Sequence, residues 1–589
     1  SNAAGNGSVS FGSLQNLLQN NPTQIRMPTI PPFSPQGNTI HHNRASVWAG
    51  YVNDDWKVRP NLTLNLGVRY EMSTIPTEID DKIHYLPTIW FNPSGCFATP
   101  TGDVGCDNFR RVTFDANPTL RNFEPRIGFA WDPFHDGKTS VRGGFGMFDV
   151  LPLPFMTALN ALQTAPDGVE IDLSNPGQGT FPGGLAAIAL AQAQPAASTL
   201  RWSYITPRPH RNYVMQWNLN VQRQLTSSTA VTLAYSGSRT LHNPFQTDEL
   251  NTVFPFEVNA PGIGMAGSSR GWLFPNPVGT GVVVQNPTGI VPGQLINANT
   301  ALIQSTAYIG QAWYNSFQLS VDRRLSRGFQ IGTSFTWQKA MDTSSGSFAG
   351  DNFAADITPT IPWWDLRIIK GPADFNIARN LVINTLYNIP TGSLSGPATW
   401  IAKGWQVGGI VSLSDGVPIW PLDGIEGDPM GQLNGEPMAI PDLASGCTPR
   451  NLVQPGNLQY LKPGCFINAV APSQAFYNAA APLGCDPAFA FPTCINLLGN
   501  LGRNSITGPA LFNIDFSMVK DTRITKISEA FDVQFRAEFF NVLNHPNFAP
   551  PVDNLEALDK NGLPVGGFGQ IDSTQTPERQ IQFGLKIIF

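Results

Sequence analysis

Charged side chains are scarce in this sequence, and long apolar runs are missing. Asp, Glu, Lys and Arg make up 13% of the 589 residues, about half of the roughly 25% of an ordinary soluble domain. A helix that crosses a bilayer needs about 18 or more consecutive apolar residues. The best apolar stretch, 183–197, is short and is interrupted by Gln192 and Gln194. We therefore predict no transmembrane helix and interpret this stretch as a helix within a loop.

The sequence also lacks the usual signs of catalysis and of nucleic-acid binding. The net charge of −6 gives no reason to expect nucleic acid as a partner, because phosphate binding relies on an excess of Lys and Arg. The seven histidines show no His-Glu-x-x-His spacing, and no Gly-x-Ser-x-Gly elbow occurs. The glycine-rich segment 143–146 lies inside a strand pattern, where glycines make room for bulky neighbours. We expect no enzyme activity, no catalytic residue, no metal site and no cofactor.

What the sequence does contain is a period of two. Residues 62–70 alternate Leu, Val and Tyr with Thr, Asn, Gly and Arg, which predicts a strand with one apolar and one polar face. Thirteen segments of this kind are predicted, most of them near the 9–11 residues that cross a tilted bilayer. They are centred on 45–57, 62–70, 127–131, 141–147, 217–221, 231–235, 317–321, 329–337, 379–388, 405–413, 512–518, 531–539 and 581–589.

The connections between these segments alternate in length. Short links follow every odd-numbered segment, and long ones span roughly 73–124, 150–210, 240–312, 339–377, 416–509 and 543–577. Short periplasmic turns and long extracellular loops are typical of outer-membrane β-barrels. The sequence thus predicts an all-β chain that forms a transmembrane antiparallel β-barrel.

Nine charged residues are predicted to share the polar face of their strands. They are Arg69, Glu71, Arg126, Asp132, Arg142, Asp515, Arg536, Glu538 and Lys586. Placing Arg or Lys on the lipid face at mid-bilayer costs about 2–4 kcal/mol. We therefore predict that the polar faces line a wet lumen and the apolar faces meet lipid. The alternative is a set of soluble β-sandwiches, whose loops are usually short on both sides.

Six cysteines all fall in predicted loops, and no Cys-x-x-Cys pair occurs. They are Cys96, Cys106, Cys447, Cys465, Cys485 and Cys494. Their even number indicates disulfides formed in an oxidising compartment rather than a metal site. Pairing of sequence neighbours would give 96–106, 447–465 and 485–494, although six cysteines allow 15 connectivities.

Aromatic residues are frequent in the long loops. We expect Phe254, Phe256, Trp272, Trp363, Trp364 and Trp420 to be exposed there. They could stack on sugars or hold peptides, or they could pack loop against loop. The second interpretation is favoured, so no ligand-binding residue is assigned from the sequence.

Several motifs, in this order, resemble the barrel of TonB-dependent receptors, with the Oar-like subgroup the closest. They are Tyr51–Val58 (YVNDDWKV), Leu62–Glu71 (LTLNLGVRYE), Pro125–Ala130 (PRIGFA), Gly502–Asn504 with Gly508-Pro509, Phe539–Asn541 with Asn544–Phe548, and Gln582–Phe589 (QFGLKIIF). The resemblance implies a barrel of about 22 strands that is filled by a plug. The thirteen strands would be the tenth to the twenty-second. The terminal Phe589 would be the signal read by the barrel-assembly machinery.

Residues 1–3 are expected to be a remnant of tag cleavage, 4–40 a linker or loop, and 41–589 the C-terminal part of the barrel. A carboxypeptidase-regulatory-like domain and the plug would lie N-terminal to it in the full protein. The resemblance implies a Gram-negative outer-membrane receptor that takes up a large extracellular solute with energy from the TonB complex. The alternatives are a surface adhesion or assembly protein that displays loops, and a passive porin.

Overall fold

The fold is known from a computed structural model. It describes residues 8–11, 14–28, 42–99, 102–154, 165–166, 170–174, 177–179, 200–247, 250–252, 254–259, 270–275, 296–297, 299–300, 302–345, 363–392, 398–422, 440–468, 494–495, 498–525, 528, 531–551, 557–558 and 562–589. The predicted loop helix at 183–197 lies outside these residues. Among the described residues, no helix has the length and apolar character needed to cross a membrane.

Thirteen antiparallel strands form one continuous sheet in sequence order. They are β1 (Val47–Arg59), β2 (Leu62–Ser73), β3 (Phe123–Trp131), β4 (Thr139–Asp149), β5 (Tyr213–Thr226), β6 (Thr229–Thr247), β7 (Leu302–Ser326), β8 (Phe329–Asp342), β9 (Arg379–Asn388), β10 (Trp405–Ser414), β11 (Leu511–Arg523), β12 (Asp532–Phe540) and β13 (Gln580–Ile588). The strand prediction is confirmed for all thirteen segments. The largest difference is β7, which extends from the predicted 317–321 to 25 residues.

Short and long connections alternate as predicted. The link from β1 to β2 spans two residues, whereas β2 and β3 are separated by residues 74–122. All long connections leave from one end of the sheet, which we call the outer end. Strands β6 and β7 continue past their neighbours there, because residues Phe245–Thr247 of β6 and Arg201–Ile205 both pair with the start of β7.

The pairing register gives the sheet two chemically distinct faces. Residues that lie opposite each other on neighbouring strands point to the same face. The middle of every strand keeps one register from Arg69 opposite Glu124 to Arg536 opposite Gly584, and shifts occur only toward strand ends. Eight of the nine predicted charges fall within strands on this one face, and Asp132 follows directly after β3. The opposite face carries most of the Leu, Ile, Val, Phe and Trp residues, although Val382 and Ile410 lie on the polar face. Charged residues also occur on the apolar face. Asp54 lies there opposite Leu66, and others lie nearer the strand ends, among them Arg223, Arg239, Arg323, Lys339 and Lys520.

The two edges of the sheet are unpaired among the residues that the structure describes. Strand β1 pairs only with β2, and β13 pairs only with β12. Both edge strands run from the outer end to the inner end, since an odd number of antiparallel strands separates them. Direct pairing of β1 with β13 would therefore be parallel.

The buried core lies in the long connections rather than on a face of the sheet. One cluster joins residues of the β6–β7, β8–β9, β10–β11 and β12–β13 connections around Ile369, Trp420 and Leu501. A second cluster joins the β2–β3 and β4–β5 connections around Leu86 and Trp202. We call these folded connections the outer cap. A sheet with lipid on one side and water on the other leaves only the cap to form a core of soluble-protein type.

Short elements hold the cap together. Small antiparallel sheets pair Asn43–Arg44 with Thr77–Glu78, Phe97–Thr99 with Gly102–Val104, Phe256–Asn259 with Arg270–Pro275 and then Cys494–Ile495, Pro418–Ile419 with Ile506–Thr507, and Asp442–Leu443 with Phe466–Ile467. Gly371–Pro372 pairs with the end of β8. The helices are Leu366–Ile369 and Ala398–Ala402, with a 3-10 turn at Pro463–Cys465.

The segment 4–40 contains more structure than a linker. A helix spans Leu14–Leu18, and strands Ser8–Ser10 and Gln24–Pro28 form a three-stranded sheet with Glu170–Ser174. These strands were not predicted, because the many Asn, Gln and Pro residues of this segment leave no visible period of two. Their partner is more than 140 residues away in the chain.

Candidate binding site in the outer cap

Two disulfides brace the cap, and both join sequence neighbours. Cys96 is bonded to Cys106, and Cys447 is bonded to Cys465. The predicted pair of Cys485 and Cys494 lies outside the described residues, because Cys485 is not described. The two observed bonds close short loops, so each fixes the local shape of a connection without tying distant parts of the cap.

The loop aromatics are packed against one another, which corrects the expectation that they are exposed. Trp272 and Trp420 are buried, and Phe254, Phe256, Trp363 and Trp364 are half-buried. The ring of Phe254 lies 5.7 Å from that of Trp364 and 6.1 Å from that of Trp272. Removing these large apolar surfaces from water stabilises the folded connections. The residues therefore serve loop–loop packing, which was the favoured interpretation.

Glycines in β4 make room for rings, as predicted. A Cβ at Gly143 would come within 2.5 Å of the Phe129 ring, and one at Gly146 within 2.9 Å of Phe148. Because the segment lies within a strand that pairs with neighbours on both sides, its backbone is committed to the sheet and does not form a phosphate-binding loop.

The motif Gly502–Asn504 is the centre of a buried polar network. Arg503 is almost completely buried, and its Nη1 donates to Asp342 Oδ1 at 2.6 Å and to the Ile369 carbonyl at 3.2 Å. Its Nη2 donates to Ser345 Oγ at 2.9 Å and to Asp374 Oδ1 at 3.2 Å. The network joins the end of β8, the β8–β9 connection and the β10–β11 connection.

Asn504 completes this network. Its Nδ2 donates to Asp374 Oδ1 at 2.5 Å and to the Pro372 carbonyl at 2.8 Å. Burial raises the pKa of the Asp374 carboxyl above its ordinary value, and the Arg503 charge opposes that rise. Gly371 allows the close approach, because a Cβ there would lie 2.3 Å from the Arg503 carbonyl oxygen.

Next to this network lies an open pocket of about 890 Å³, which we call the cap pocket. Three segments form its walls: 448–460, 505–510 and 545–548. The first segment lies inside the loop closed by the Cys447–Cys465 disulfide. The second leads into β11, and the third follows β12. The pocket therefore sits at the outer end of the sheet, where a solute arriving from outside would meet the protein.

Hydrogen bonds fix the pocket walls to one another. The hydroxyl of Tyr460 donates to the Thr507 carbonyl at 2.7 Å, and burial raises the pKa of Tyr460 to about 12. The Asn541 side chain accepts from the His545 backbone N–H at 2.9 Å, and Asn547 Oδ1 accepts from the Phe512 N–H of β11 at 2.9 Å. The motif Asn544–Phe548 is thus a turn tied to the top of the barrel.

The charge of the pocket lining has one sign. Arg450 and His545 line it, and no Asp or Glu is among the lining residues that the structure describes. Ser505 also lines the pocket, and its Oγ is buried without a hydrogen-bond partner within the described part of the chain. No motif or period in the sequence marks Arg450, Tyr460 or Ser505. Asn544–Phe548 and Gly508-Pro509 stood out as motifs, but nothing indicated that they meet.

A second group of polar residues lies beside β1 and β2. His42 Nδ1 lies 2.5 Å from Asp80 Oδ2, and Glu78 is close to both. The Glu78 carboxylate already accepts the backbone N–H groups of His42, Asp80 and Lys82 at 2.8, 3.0 and 2.8 Å. These hydrogen bonds give the group a structural role, because they hold the paired strands Asn43–Arg44 and Thr77–Glu78 together.

Comparison with known proteins gives the following matches. A family model described as an outer membrane beta barrel domain matches residues 1–582. Among curated proteins, none matches the sequence. The outer membrane transporter YddB from Escherichia coli is 10% identical, with a TM-score of 0.37, over 92% of this chain and 45% of that one.

Two further solved structures are similar at the same level. A mutant of the ferric enterobactin receptor PfeA from Pseudomonas aeruginosa is 8% identical, with a TM-score of 0.38, over 96% of this chain and 50% of that one. BauA, the ferric preacinetobactin receptor from Acinetobacter baumannii, is 10% identical, with a TM-score of 0.38, over 93% and 44%. This chain spans about half the length of the solved structures that it matches.

Proposed function

The chain belongs to the outer membrane beta barrel domain family, and on this premise we propose that it is the barrel part of a TonB-dependent receptor. It lies in the outer membrane of a Gram-negative bacterium, where its apolar strand face meets lipid. In this proposal the outer cap binds a large extracellular solute. The TonB complex then drives uptake by pulling on a plug, and the role is not enzymatic.

The observation that carries the proposal is the outer cap. Long connections from six places along the chain fold over the outer end with cores of their own, two disulfides and a pocket. A passive porin needs an open path at its mouth, and a folded layer of loops works against one. A receptor needs a preorganised surface at that end, because a rigid site loses less entropy when the ligand binds.

The proposal includes further strands between β13 and β1. In lipid every backbone N–H and C=O must be paired, so neither edge can face hydrocarbon. Because both edges run in the same direction, antiparallel closure takes an odd number of additional strands. A 22-stranded receptor barrel would supply about nine further strands, which is an odd number. The Oar-like subgroup, with its regulatory-like N-terminal domain, remains part of the proposal on the motifs quoted above.

Energy dependence tests the proposal against its two alternatives. The whole protein would be placed in planar lipid bilayers, and uptake of a bound solute would be followed in cells with and without TonB. A receptor should show no persistent ion conductance and should lose uptake when TonB is absent. Persistent conductance with TonB-independent uptake would point to a passive porin. Binding without any uptake would point to an adhesion or assembly protein, and either result would overturn the proposal.

A further inference from the structure

We propose that the cap pocket binds an organic anion, a carboxylate attached to a sugar or aromatic body. The inference rests on the proposed receptor function in one respect only, namely that a solute-binding site should lie at the outer end. It goes further by naming the chemical class of the ligand. Three features of the pocket support it: charge, shape and rigid walls.

The described lining of the pocket differs in charge from the protein as a whole. The chain carries a net charge of −6, yet the described lining residues include Arg450 and no carboxylate. Within the described residues, the Arg450 guanidinium has no ion-pair or hydrogen-bond partner. Arginine presents a planar fork of donors that matches a carboxylate in two parallel bonds. A carboxylate is therefore the group that completes this site.

The shape and surface of the pocket fit a flat, weakly polar body. Four prolines line it, together with Tyr460 and Phe548. Proline and aromatic rings present C–H and π faces, on which the faces of sugars and aromatic rings pack. A volume of about 890 Å³ is within the 300–1,000 Å³ or so of small-molecule sites. The pocket is thus large enough for a disaccharide or an aryl glycoside.

Ser505 connects the pocket to the buried network, because it lines the pocket and directly follows Arg503 and Asn504. Its Oγ is itself buried, so the residue acts as part of a fixed wall. The backbone at Ser505 is fixed from both sides, by Arg503 and Asn504 in their buried network and by the pairing of Ile506 with Ile419.

The pocket walls are held rigid before any ligand binds. The wall that carries Arg450 is closed by the Cys447–Cys465 disulfide, and Tyr460 ties it to Thr507 on the opposite wall. Because the wall is already ordered, ligand binding does not have to pay the entropic cost of ordering it.

Two fluorescent glycosides test the role of the carboxylate. 4-Methylumbelliferyl β-D-glucuronide and 4-methylumbelliferyl β-D-glucoside share the coumarin and the sugar ring, and they differ in the carboxylate. Equilibrium dialysis with the whole protein in detergent would measure both affinities. The glucuronide should bind about three- to tenfold more tightly, as expected for one partly exposed ion pair with a hydrogen bond.

Matched variants locate the effect. Arg450→Gln should abolish the preference for the glucuronide, whereas Arg121→Gln, at an exposed arginine in the β2–β3 connection, should keep it. Phe548→Ala should weaken both glycosides to a similar extent, because it removes the surface that contacts the shared body. Resistance of the folded barrel to unfolding in cold SDS confirms that each variant is assembled.

Three results would overturn the inference: equal affinity for both glycosides, a preference that survives Arg450→Gln, or no saturable binding of the glucuronide below about 10 mM. Because binding is measured on purified protein without TonB, these outcomes are independent of the uptake experiment. A pocket that binds the anion in a protein without TonB-dependent uptake would retain this inference and overturn only the receptor function.

Discussion

Arg503 and Asp342 form a buried ion pair, 2.6 Å between Nη1 and Oδ1, across 161 residues of sequence. The pair joins the outer end of β8 to the connection that lines the cap pocket. The same guanidinium also contacts Asp374, so one cation faces two buried carboxylates. The fold of the cap depends on this one arginine more than on any exposed charge that surrounds it.

Replacing Arg503 by Met should destabilise the cap strongly. Removing one partner of a buried pair leaves the other charge uncompensated, which typically costs about 3–5 kcal/mol. Urea unfolding would be followed by the tryptophan fluorescence of the cap residues. Arg379→Met is the matched control, since its ion pair with Asp415 is solvent-exposed and its loss should have little effect. Similar midpoints for the two variants would contradict the role of Arg503.

The stability of the cap should depend on pH through Asp374. Burial raises the pKa of this carboxyl above its ordinary value of 3.8. A group whose pKa is raised on folding contributes stability that is complete below the unfolded pKa and is lost as the pH rises through the folded pKa. The cap should therefore become more stable on acidification across that window. Asp374→Asn should remove this part of the pH dependence, and an unchanged profile in the variant would refute the assignment.

The third disulfide is expected between Cys485 and Cys494. The other four cysteines are already paired as sequence neighbours, which leaves one partner for each of these two. Mass spectrometry after non-reducing digestion of protein from the outer membrane should find a peptide pair joined through them. Free thiols at both positions would contradict the predicted disulfide between Cys485 and Cys494.

Phe589 is predicted to act in assembly and not in ligand binding. It is 93% exposed, directly after β13 at the open edge of the sheet, where the resemblance places the assembly signal. Its deletion from the full-length protein should lower the amount that reaches the outer membrane, as measured on isolated membranes. Normal abundance combined with lost solute binding would contradict this prediction and assign Phe589 to a ligand-binding site.

The sheet could be predicted from the sequence because one physical constraint acts on every strand. Lipid on one side and water on the other impose a period of two, and Leu62–Ser73 shows this period as clearly as Gln580–Ile588 does. The charges then decide which face is polar. A strand such as β7 extends further than predicted, since its outer part leaves the two-sided environment and pairs within the cap.

The cap could not be predicted in the same way. Its contacts join residues far apart in sequence, such as Trp272 with Trp364 and Tyr460 with Thr507. No local period marks them, and the same Gly, Pro and Asn residues are found in loops that pack and in loops that do not. The motif at Gly502–Asn504 was visible, but its two aspartates could be found only from the fold.

The facing of the strands is the central claim, and a pair of adjacent residues in β7 tests it most directly. Leu319 lies on the apolar face between Leu233 and Phe335, and Gln318 lies on the polar face between Ala234 and Thr336. This site in the middle of the sheet is better suited than Leu66, since Asp54 lies opposite Leu66 and could pair with an introduced arginine.

Unfolding free energies of Leu319→Arg and Gln318→Arg would be measured by urea titration of the full-length protein in lipid vesicles. The two positions share nearly the same depth and backbone, so the difference isolates the facing of the side chain. Leu319→Arg should cost about 2–4 kcal/mol near the midplane, because its charge meets lipid, and Gln318→Arg should cost far less. Equal costs, or a larger cost for Gln318→Arg, would contradict a barrel with a polar lumen and an apolar lipid face.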